Sequence, residues 1–125
     1  MSLIVRVADR PNFVKTMHLE GRADQESSTA LESELNRVLA SNVQTLVLDL
    51  QKLDYISSAG LAQVFSARKK MLARGGNFAL VNLQPQVQKV FDIVKAVVVN
   101  EVFQSVGELD RYLDLMQRRA KNQKP

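Results

Sequence analysis

Leu46-Val-Leu-Asp-Leu-Gln-Lys-Leu-Asp-Tyr-Ile-Ser-Ser-Ala-Gly-Leu61 is the stretch of this chain that decides its fold. Residues 45–50 predict a strand buried on both faces, a short polar turn follows, and Ser57 and Ser58 then open a helix. A helix N-terminus carries unpaired backbone N–H groups and the positive end of the helix dipole, so it favours negative charge. A serine in that place can be a helix cap, a nucleophile or a phosphate acceptor.

The residues before this stretch predict two strands and a helix. The strand patterns occupy residues 3–7 and 13–19. Turn residues between them indicate a hairpin, and Gly21 is expected to end the second strand. Apolar residues at helical spacing follow, and Thr29 with Glu32 is a candidate capping box for that helix, with a start one turn earlier as the alternative.

The residues after this stretch continue the alternation of helix and strand. A helix is expected to end at Arg74-Gly-Gly76, and residues 77–81 predict a strand. Pro85 suits the first turn of a third helix. Residues 97–103 are ambiguous, and a capping box of Ser105 and Glu108 predicts a final helix. The alternation predicts one α/β domain with a partly parallel central sheet.

Composition limits the class of protein. The chain has 125 residues, 46% hydrophobic and 24% charged, which is typical of one globular domain. It has no cysteine, which excludes thiolate catalysis and favours a reducing cytosol. No apolar run approaches the roughly 20 residues of a membrane span. We therefore expect a soluble cytoplasmic protein that does not enter a membrane.

The net charge of +4 is concentrated at the C-terminus. Arg118, Arg119, Lys121 and Lys124 equal it by themselves. We take residues 1–117 as the domain and residues 118–125 as a basic, disordered, solvated tail. Binding of this tail to nucleic acid or anionic lipid is the alternative, and we expect no nucleic-acid partner.

The sequence lacks most of the residues that a catalytic or metal site would need. His18 is the single histidine and lies in a strand pattern, so a Ser-His-Asp site requires that it reach Ser58. No metal or cofactor motif is present, and we expect neither an enzyme nor a cofactor. Asp49 is interpreted as a strand-end carboxylate and Asp54 as a loop residue, with a place on a partner's docking surface as the alternative.

The chain resembles the STAS domain of bacterial anti-sigma-factor antagonists over nearly all of residues 3 to 115. The resemblance is carried by segments in a specific order: Leu19-Glu-Gly-Arg-Ala-Asp24, Leu46-Val-Leu-Asp-Leu50, Tyr55-Ile-Ser-Ser-Ala-Gly-Leu61, Arg74-Gly-Gly76 and residues 105–109. It implies one STAS domain with a mixed central sheet and about four helices packed mainly on one side. It also implies a non-enzymatic switch in which the unphosphorylated antagonist binds an anti-sigma factor that is itself a serine kinase.

In that family the kinase phosphorylates a serine at the helix start, which ends binding, and a PP2C-type phosphatase resets it. The acceptor position falls on Ser58, with Ser57 as the alternative acceptor. Many phosphorylated members have an aspartate before the acceptor, and this chain has Ser57 there. The resemblance places the partner-binding surface at Asp24, Asp54, Tyr55, Ser57, Ser58, Ala59, Gly60 and Leu61. A homodimer is left open, and the alternative function is a non-phosphorylated STAS scaffold or transporter-accessory domain.

Overall fold

The computed structural model describes residues 3–96 and, beyond them, residues 111, 115 and 117–119. Four strands and three helices alternate along residues 3–96: β1 (Leu3–Arg10), β2 (Val14–Ala23), α1 (Ser28–Leu39), β3 (Thr45–Ile56), α2 (Ser58–Ala73), β4 (Asn77–Val81) and α3 (Pro85–Ala96). Residues 117–119 are also helical. The ambiguous residues 97–103 and the capping box of Ser105 and Glu108 lie outside the described residues.

The strands form one mixed sheet in the order β1-β2-β3-β4. β1 pairs with β2 in antiparallel fashion, whereas β2–β3 and β3–β4 are parallel pairs. This confirms the predicted α/β fold with a mixed central sheet. Because β2 and β3 run in the same direction, the starts of α1 and α2 lie at the same end of the sheet.

The helices cover one face of the sheet. Leu46, Leu48 and Leu50 are fully buried, while Val47 and Asp49 on the opposite face are only partly covered. The prediction that this strand is buried on both faces is therefore wrong. Polar cross-strand pairs, such as Arg6 with Glu20 at 3.4 Å, suit the uncovered face to water.

β3 continues through the polar residues for which the sequence predicts a turn. Two irregularities in its pairing with β2 shift its register, and Gly21 takes a φ of +103° at this point without ending β2. After the shift, Leu53 and Ile56 point into the core and are fully buried. The predictions of a turn after residue 50 and of a strand end at Gly21 are both wrong because irregular pairing, which local residue type does not show, prolongs both strands.

The helix boundaries follow local signals except at α1. α2 ends at Ala73 just before the glycine pair, β4 spans the predicted residues, and α3 begins at Pro85. α1 begins at Ser28 after the cap residue Ser27, two residues before the predicted cap, so the capping box of Thr29 and Glu32 is wrong and the helix starts earlier by about half a turn.

Candidate functional site at the serine turn

The serine turn, which we define as residues 56–60, joins β3 to α2 through a single non-helical residue. Ser57 is extended, with φ −90° and ψ 175°, and its Oγ accepts a hydrogen bond from the Gly60 N–H at 3.2 Å. Its side chain is buried, since the residue is only 5% exposed. Ser58 is the first helical residue and is half-buried. The pair thus divides into a buried cap, Ser57, and a half-buried serine, Ser58.

The turn is pressed against the end of β2. The Ser57 N–H donates to the Ala23 carbonyl at 2.8 Å. A Cβ on Gly60 would lie 2.8 Å from that same carbonyl oxygen and 3.0 Å from Cγ1 of Ile56. Glycine is therefore required at this position for the close approach of α2 to the sheet.

Beyond the point where β4 ends, three glutamine side chains form hydrogen bonds with the backbone of β3. Gln84 Nε2 donates to the Gln51 carbonyl at 2.9 Å, and Gln86 Nε2 donates to the Asp54 carbonyl at 3.1 Å. Gln117 forms two bonds with Ile56, accepting from its N–H at 2.9 Å and donating to its carbonyl at 2.8 Å. Along this part of β3, these side chains satisfy backbone groups that β4 does not reach.

Sequence reasoning missed these glutamines. β4 has 5 residues and β3 has 12, so part of the β3 edge must find other partners. The need for these partners becomes visible only when the full length of β3 is known. Gln86 and Gln117 are both 3% exposed, although glutamine in a sequence normally indicates a surface position.

Asp24 lies beside the serine turn in the loop before α1. Its Oδ1 accepts from both the N–H and the hydroxyl of Ser27, each at 3.0 Å, and Arg22 lies 4.0 Å from its Oδ2. Partial burial raises the pKa of Asp24, but the Ser27 hydrogen bonds and the Arg22 charge outweigh it. The pKa of this carboxyl consequently lies below its ordinary value of 3.8.

Tyr55 and Asp54 lie within β3, so the prediction that Asp54 is a loop residue is wrong. Asp54 Oδ1 accepts from Gln86 Nε2 at 3.2 Å. The guanidinium of Arg22 stacks over the Tyr55 ring, 4.1 Å from its centroid. Cation–π contacts of this kind hold an aromatic side chain in place, and Arg22 is a further residue that sequence reasoning missed.

The remaining predicted partner-binding residues differ in exposure. Ala59 is half-buried, whereas Gly60 and Leu61 are buried. The accessible part of this end of the sheet is therefore supplied by the five half-buried residues Asp24, Asp54, Tyr55, Ser58 and Ala59. Gly60 and Leu61 shape it from beneath, and a role for any of these residues in partner binding stays a prediction.

His18 and Asp49 lie away from the serine turn. His18 Nδ1 lies 3.1 Å from Asp49 Oδ2 on the uncovered face of the sheet. Partial burial raises the pKa of Asp49, but hydrogen bonds from the Gln51 N–H and Asn82, together with His18, bring it below its ordinary value. Asp49 is a mid-strand residue, so its interpretation as a strand-end carboxylate is wrong.

A Ser-His-Asp site is not assembled. From Asp49 to Ile56 the strand advances about 20 Å at its usual rise, which separates the imidazole from Ser58. Among the described residues, no three His, Asp or Glu side chains are grouped as metal ligands. Nor does any described helix have the length and apolar character to span a membrane.

Comparison with known proteins identifies relatives of this chain. The family model for the STAS domain matches residues 5–109. A protein of Bordetella bronchiseptica with the provisional name anti-sigma factor antagonist BtrV is 39% identical over 75 residues, which cover 60% of this chain and 65% of that relative. The match thus spans slightly less than two thirds of the relative's length.

Solved structures share the fold. An anti-sigma factor antagonist from Mycobacterium paratuberculosis superposes with a TM-score of 0.69 at 21% identity, covering 97% of this chain and 96% of the other. The anti-sigma factor antagonist SpoIIAA superposes in its unphosphorylated form with a TM-score of 0.67 at 19% identity, covering 74% and 81%. Its phosphorylated Bacillus form gives 0.62 at 18% identity, covering 73% and 83%.

Proposed function

Because this chain belongs to the STAS domain family, we propose that it is a cytoplasmic anti-sigma-factor antagonist, and that phosphorylation of Ser58 controls its binding to an anti-sigma factor. In this proposal the partner is also the serine kinase, and a PP2C-type phosphatase removes the phosphate. The protein itself catalyses nothing. The relatives named as anti-sigma factor antagonists support the assignment.

The observation that carries the proposal is that the two serines differ in burial and in hydrogen bonding. Ser57 is buried and its hydroxyl caps α2 at the Gly60 N–H. Ser58 is more accessible and lies at the N-terminal end of a 16-residue helix. Phosphorylation of the half-buried Ser58 leaves the cap bond of Ser57 in place, so Ser58 is the better acceptor of the two.

The replacement of the usual aspartate by Ser57 is compatible with this arrangement. Aspartate and serine are both strong N-caps because each accepts from the backbone N–H two or three residues ahead. The 3.2 Å bond from Gly60 shows that Ser57 fills this position. What the chain loses is a carboxylate next to the acceptor.

Phosphorylation at Ser58 would act on the partner complex. A phosphate adds about −1.5 to −2 charge at neutral pH, and a helix N-terminus tolerates an anion. A surface built to accept a neutral hydroxyl would have to desolvate that charge, at a cost of several kcal/mol. Since about 1.4 kcal/mol is a tenfold change in affinity, the complex would dissociate.

The direct test is incubation of the purified chain with its partner kinase and ATP, followed by intact-mass and peptide mass spectrometry. We expect one phosphate on Ser58, and none on a Ser58→Ala variant. Ser28→Ala is the matched control because Ser28 is the corresponding first residue of α1. Modification that persists in Ser58→Ala, or a wild-type chain that binds the kinase and stays unmodified, would refute the switch.

A non-phosphorylated scaffold or transporter-accessory domain is the second candidate. The missing carboxylate at position 57 favours it, because no acidic side chain directly precedes the acceptor. In that case Ser58→Asp and wild type should recover the same transporter ATPase or signalling assembly in pull-downs. Recovery of a small kinase by wild type alone would eliminate this candidate.

A further inference from the structure

An arginine near the end of β2 has a fixed side chain whose hydrogen-bond donors are still available. The guanidinium of Arg22 lies over the Tyr55 ring, 4.1 Å from its centroid, and its Nε is 4.0 Å from Oδ2 of Asp24. The second distance is too long for a hydrogen bond. Within the described part of the chain, none of the five N–H groups of this guanidinium donates a hydrogen bond. The neighbours of Arg22 therefore position it without using its donors.

The backbone of β2 directs this side chain. The pairing register with β3 shifts between Gly21 and Arg22, and Gly21 has a φ of +103°. Irregular pairing of this kind re-aims the side chains that follow it. After the shift Arg22 is paired directly with Tyr55, so the guanidinium and the ring meet as cross-strand neighbours.

Arg22 and the start of α2 lie on opposite faces of the sheet. Ala23, the next residue, is 1% exposed, and its Cβ would lie 3.2 Å from a Cβ on Gly60 of α2. Because successive side chains of a strand point to opposite faces, Arg22 projects from the face that the helices leave uncovered. A phosphate on Ser58 would belong to the helix side. An anion bound by Arg22 would therefore come from another molecule.

The chemistry of this pair suits contact with a protein carboxylate. Arginine and tyrosine are among the residue types that contribute most to binding at protein interfaces, and the Arg22 side chain is 49% exposed. A guanidinium matches a carboxylate through two parallel hydrogen bonds, and one that is already fixed loses less entropy on binding. The Asp24 carboxylate beside it repels a doubly charged phosphate more strongly than a singly charged carboxylate.

We propose that Arg22 binds a carboxylate side chain of the anti-sigma-factor partner through a bidentate hydrogen bond and is a specificity-determining residue of that interface. The inference rests on the proposed function, from which it takes the partner. Arg22 and Ser58 lie at the same end of the sheet because the parallel strands β2 and β3 both end there. A partner that contacts both residues has to cover this end of the sheet rather than one face. Arg22 then selects for Asp or Glu on the partner and against a basic residue.

Affinity measurements with the purified partner test the contribution of Arg22. We expect Arg22→Ala to weaken binding at least about tenfold, because it leaves the partner's carboxylate without its counter-charge. Arg22→Lys should recover only part of the loss, since an ammonium lacks the bidentate geometry. Arg6→Ala is the matched control and should bind within twofold of wild type. Arg6 is 67% exposed on the same uncovered face and pairs with His18, four residues before Arg22 along β2.

Zero-length crosslinking identifies the complementary group. A carbodiimide joins a lysine amine to a carboxylate in direct contact, so the complex of the Arg22→Lys variant should give a peptide in which position 22 is joined to an Asp or Glu of the partner. Arg6→Lys should give no such peptide at position 6. Arg22→Glu should abolish binding, and replacement of the mapped carboxylate by arginine should restore it. A crosslink from position 22 to a second copy of this chain, or no restoration, would overturn the assignment.

Failure of this inference is distinguishable from failure of the proposed function. At partner concentrations well above the Kd, Ser58 should become phosphorylated in Arg22→Ala to the same extent as in wild type. A wild-type chain that neither binds the partner nor becomes phosphorylated refutes both proposals. A wild-type chain that does both, while Arg22→Ala binds with unchanged affinity, overturns the role of Arg22 alone.

Discussion

The two helices that leave the ends of β2 and β3 both begin with a serine pair, Ser27-Ser28 for α1 and Ser57-Ser58 for α2. In each pair the first serine is buried and the second is half-buried. At α1 the serine side chains contact the chain that precedes the helix: Ser27 Oγ lies 2.9 Å from the Arg22 carbonyl at the end of β2, and Ser28 Oγ donates to the Gln25 carbonyl in the loop. At α2 the Ser57 side chain instead bonds forward into the helix.

The connections also differ in length. Residues 24–27 separate β2 from α1, whereas Ser57 alone separates β3 from α2. The α2 start is thus fixed by a strand on one side and by Gln117 on the other, while the α1 start lies beyond a loop. A recognition surface needs a fixed position for the group that it reads, which favours Ser58. Ser28 is a natural internal control for it.

The largest expected effect concerns partner binding. We expect Ser58→Asp to weaken binding of the proposed anti-sigma-factor partner at least about 30-fold, because a charge enters a desolvated contact. Ser28→Asp should change the affinity less than threefold. Calorimetric titration of both variants against the purified partner measures this, and equal effects would end the distinction between the two starts.

Removing Gln117 should destabilise the junction of β3 and α2. Gln117→Ala leaves the N–H and carbonyl of Ile56 without their partners, so we expect a loss of about 2–3 kcal/mol in the free energy of unfolding. Arg119→Ala, an exposed change two residues away, should stay within about 0.5 kcal/mol. Urea unfolding of both variants decides it, and similar losses would mean that Gln117 has no special role.

The third residue after the cap is Gly60 in α2 and Ala30 in α1, so glycine and alanine can be exchanged at equivalent positions. Gly60→Ala places a Cβ against the Ala23 carbonyl and should cost about 2 kcal/mol of stability. Ala30 occupies the corresponding position of α1 and is exposed, so Ala30→Gly should cost at most about 1 kcal/mol through helix propensity. Thermal and urea unfolding test the pair. If Gly60→Ala leaves the free energy of unfolding unchanged, α2 can shift away from the sheet to accommodate the added Cβ.

Substitutions at position 57 test whether the Ser57 hydroxyl does more than cap α2. Ser57→Ala should lose about 1 kcal/mol, because the Gly60 N–H loses its acceptor. Ser57→Asp should keep stability within about 0.5 kcal/mol of wild type, since aspartate caps equally well. Both are measured by urea unfolding. If Ser57→Asp is as damaging as Ser57→Ala, the hydroxyl does more than cap.

The smallest expected effect is a pH dependence at the α1 start. The folded-state pKa of Asp24 is lowered, so its contribution is present above its ordinary value of 3.8 and is lost as the pH falls through the folded value. Asp24→Asn should be less stable than wild type by about 1 kcal/mol at pH 7. The gap should shrink from about pH 4 downward. Glu26→Gln, at an exposed position of the same loop, is the control, and a pH-independent gap would exclude ionisation as the cause.

Local signals predicted the elements whose ends they mark. The glycine pair after Arg74, the proline at position 85 and the serine pair at position 57 located the end of α2 and the starts of α3 and α2. The candidate acceptor Ser58 followed from the same signals and from the family resemblance. Each of these features depends on a few consecutive residues, which is why it is visible in the sequence.

Features that depend on pairing were not predicted. The inward positions Leu53 and Ile56 follow an irregular register with β2, and no periodicity in β3 alone reveals it. Arg22 over Tyr55 and Gln117 on Ile56 join residues from separate elements. Their identity as partners depends on where the strands and the last helix lie relative to one another.

The sequence by itself determined the order of strands and helices, the mixed sheet and the serine pair at the start of α2, because propensities, caps and breakers act over a few residues. Only the tertiary structure decided which hydroxyl caps and which is more accessible, how far β3 extends, and which glutamines complete its edge. Those outcomes depend on burial and hydrogen bonding between residues as far apart as Ile56 and Gln117, and such contacts exist only once the chain has folded.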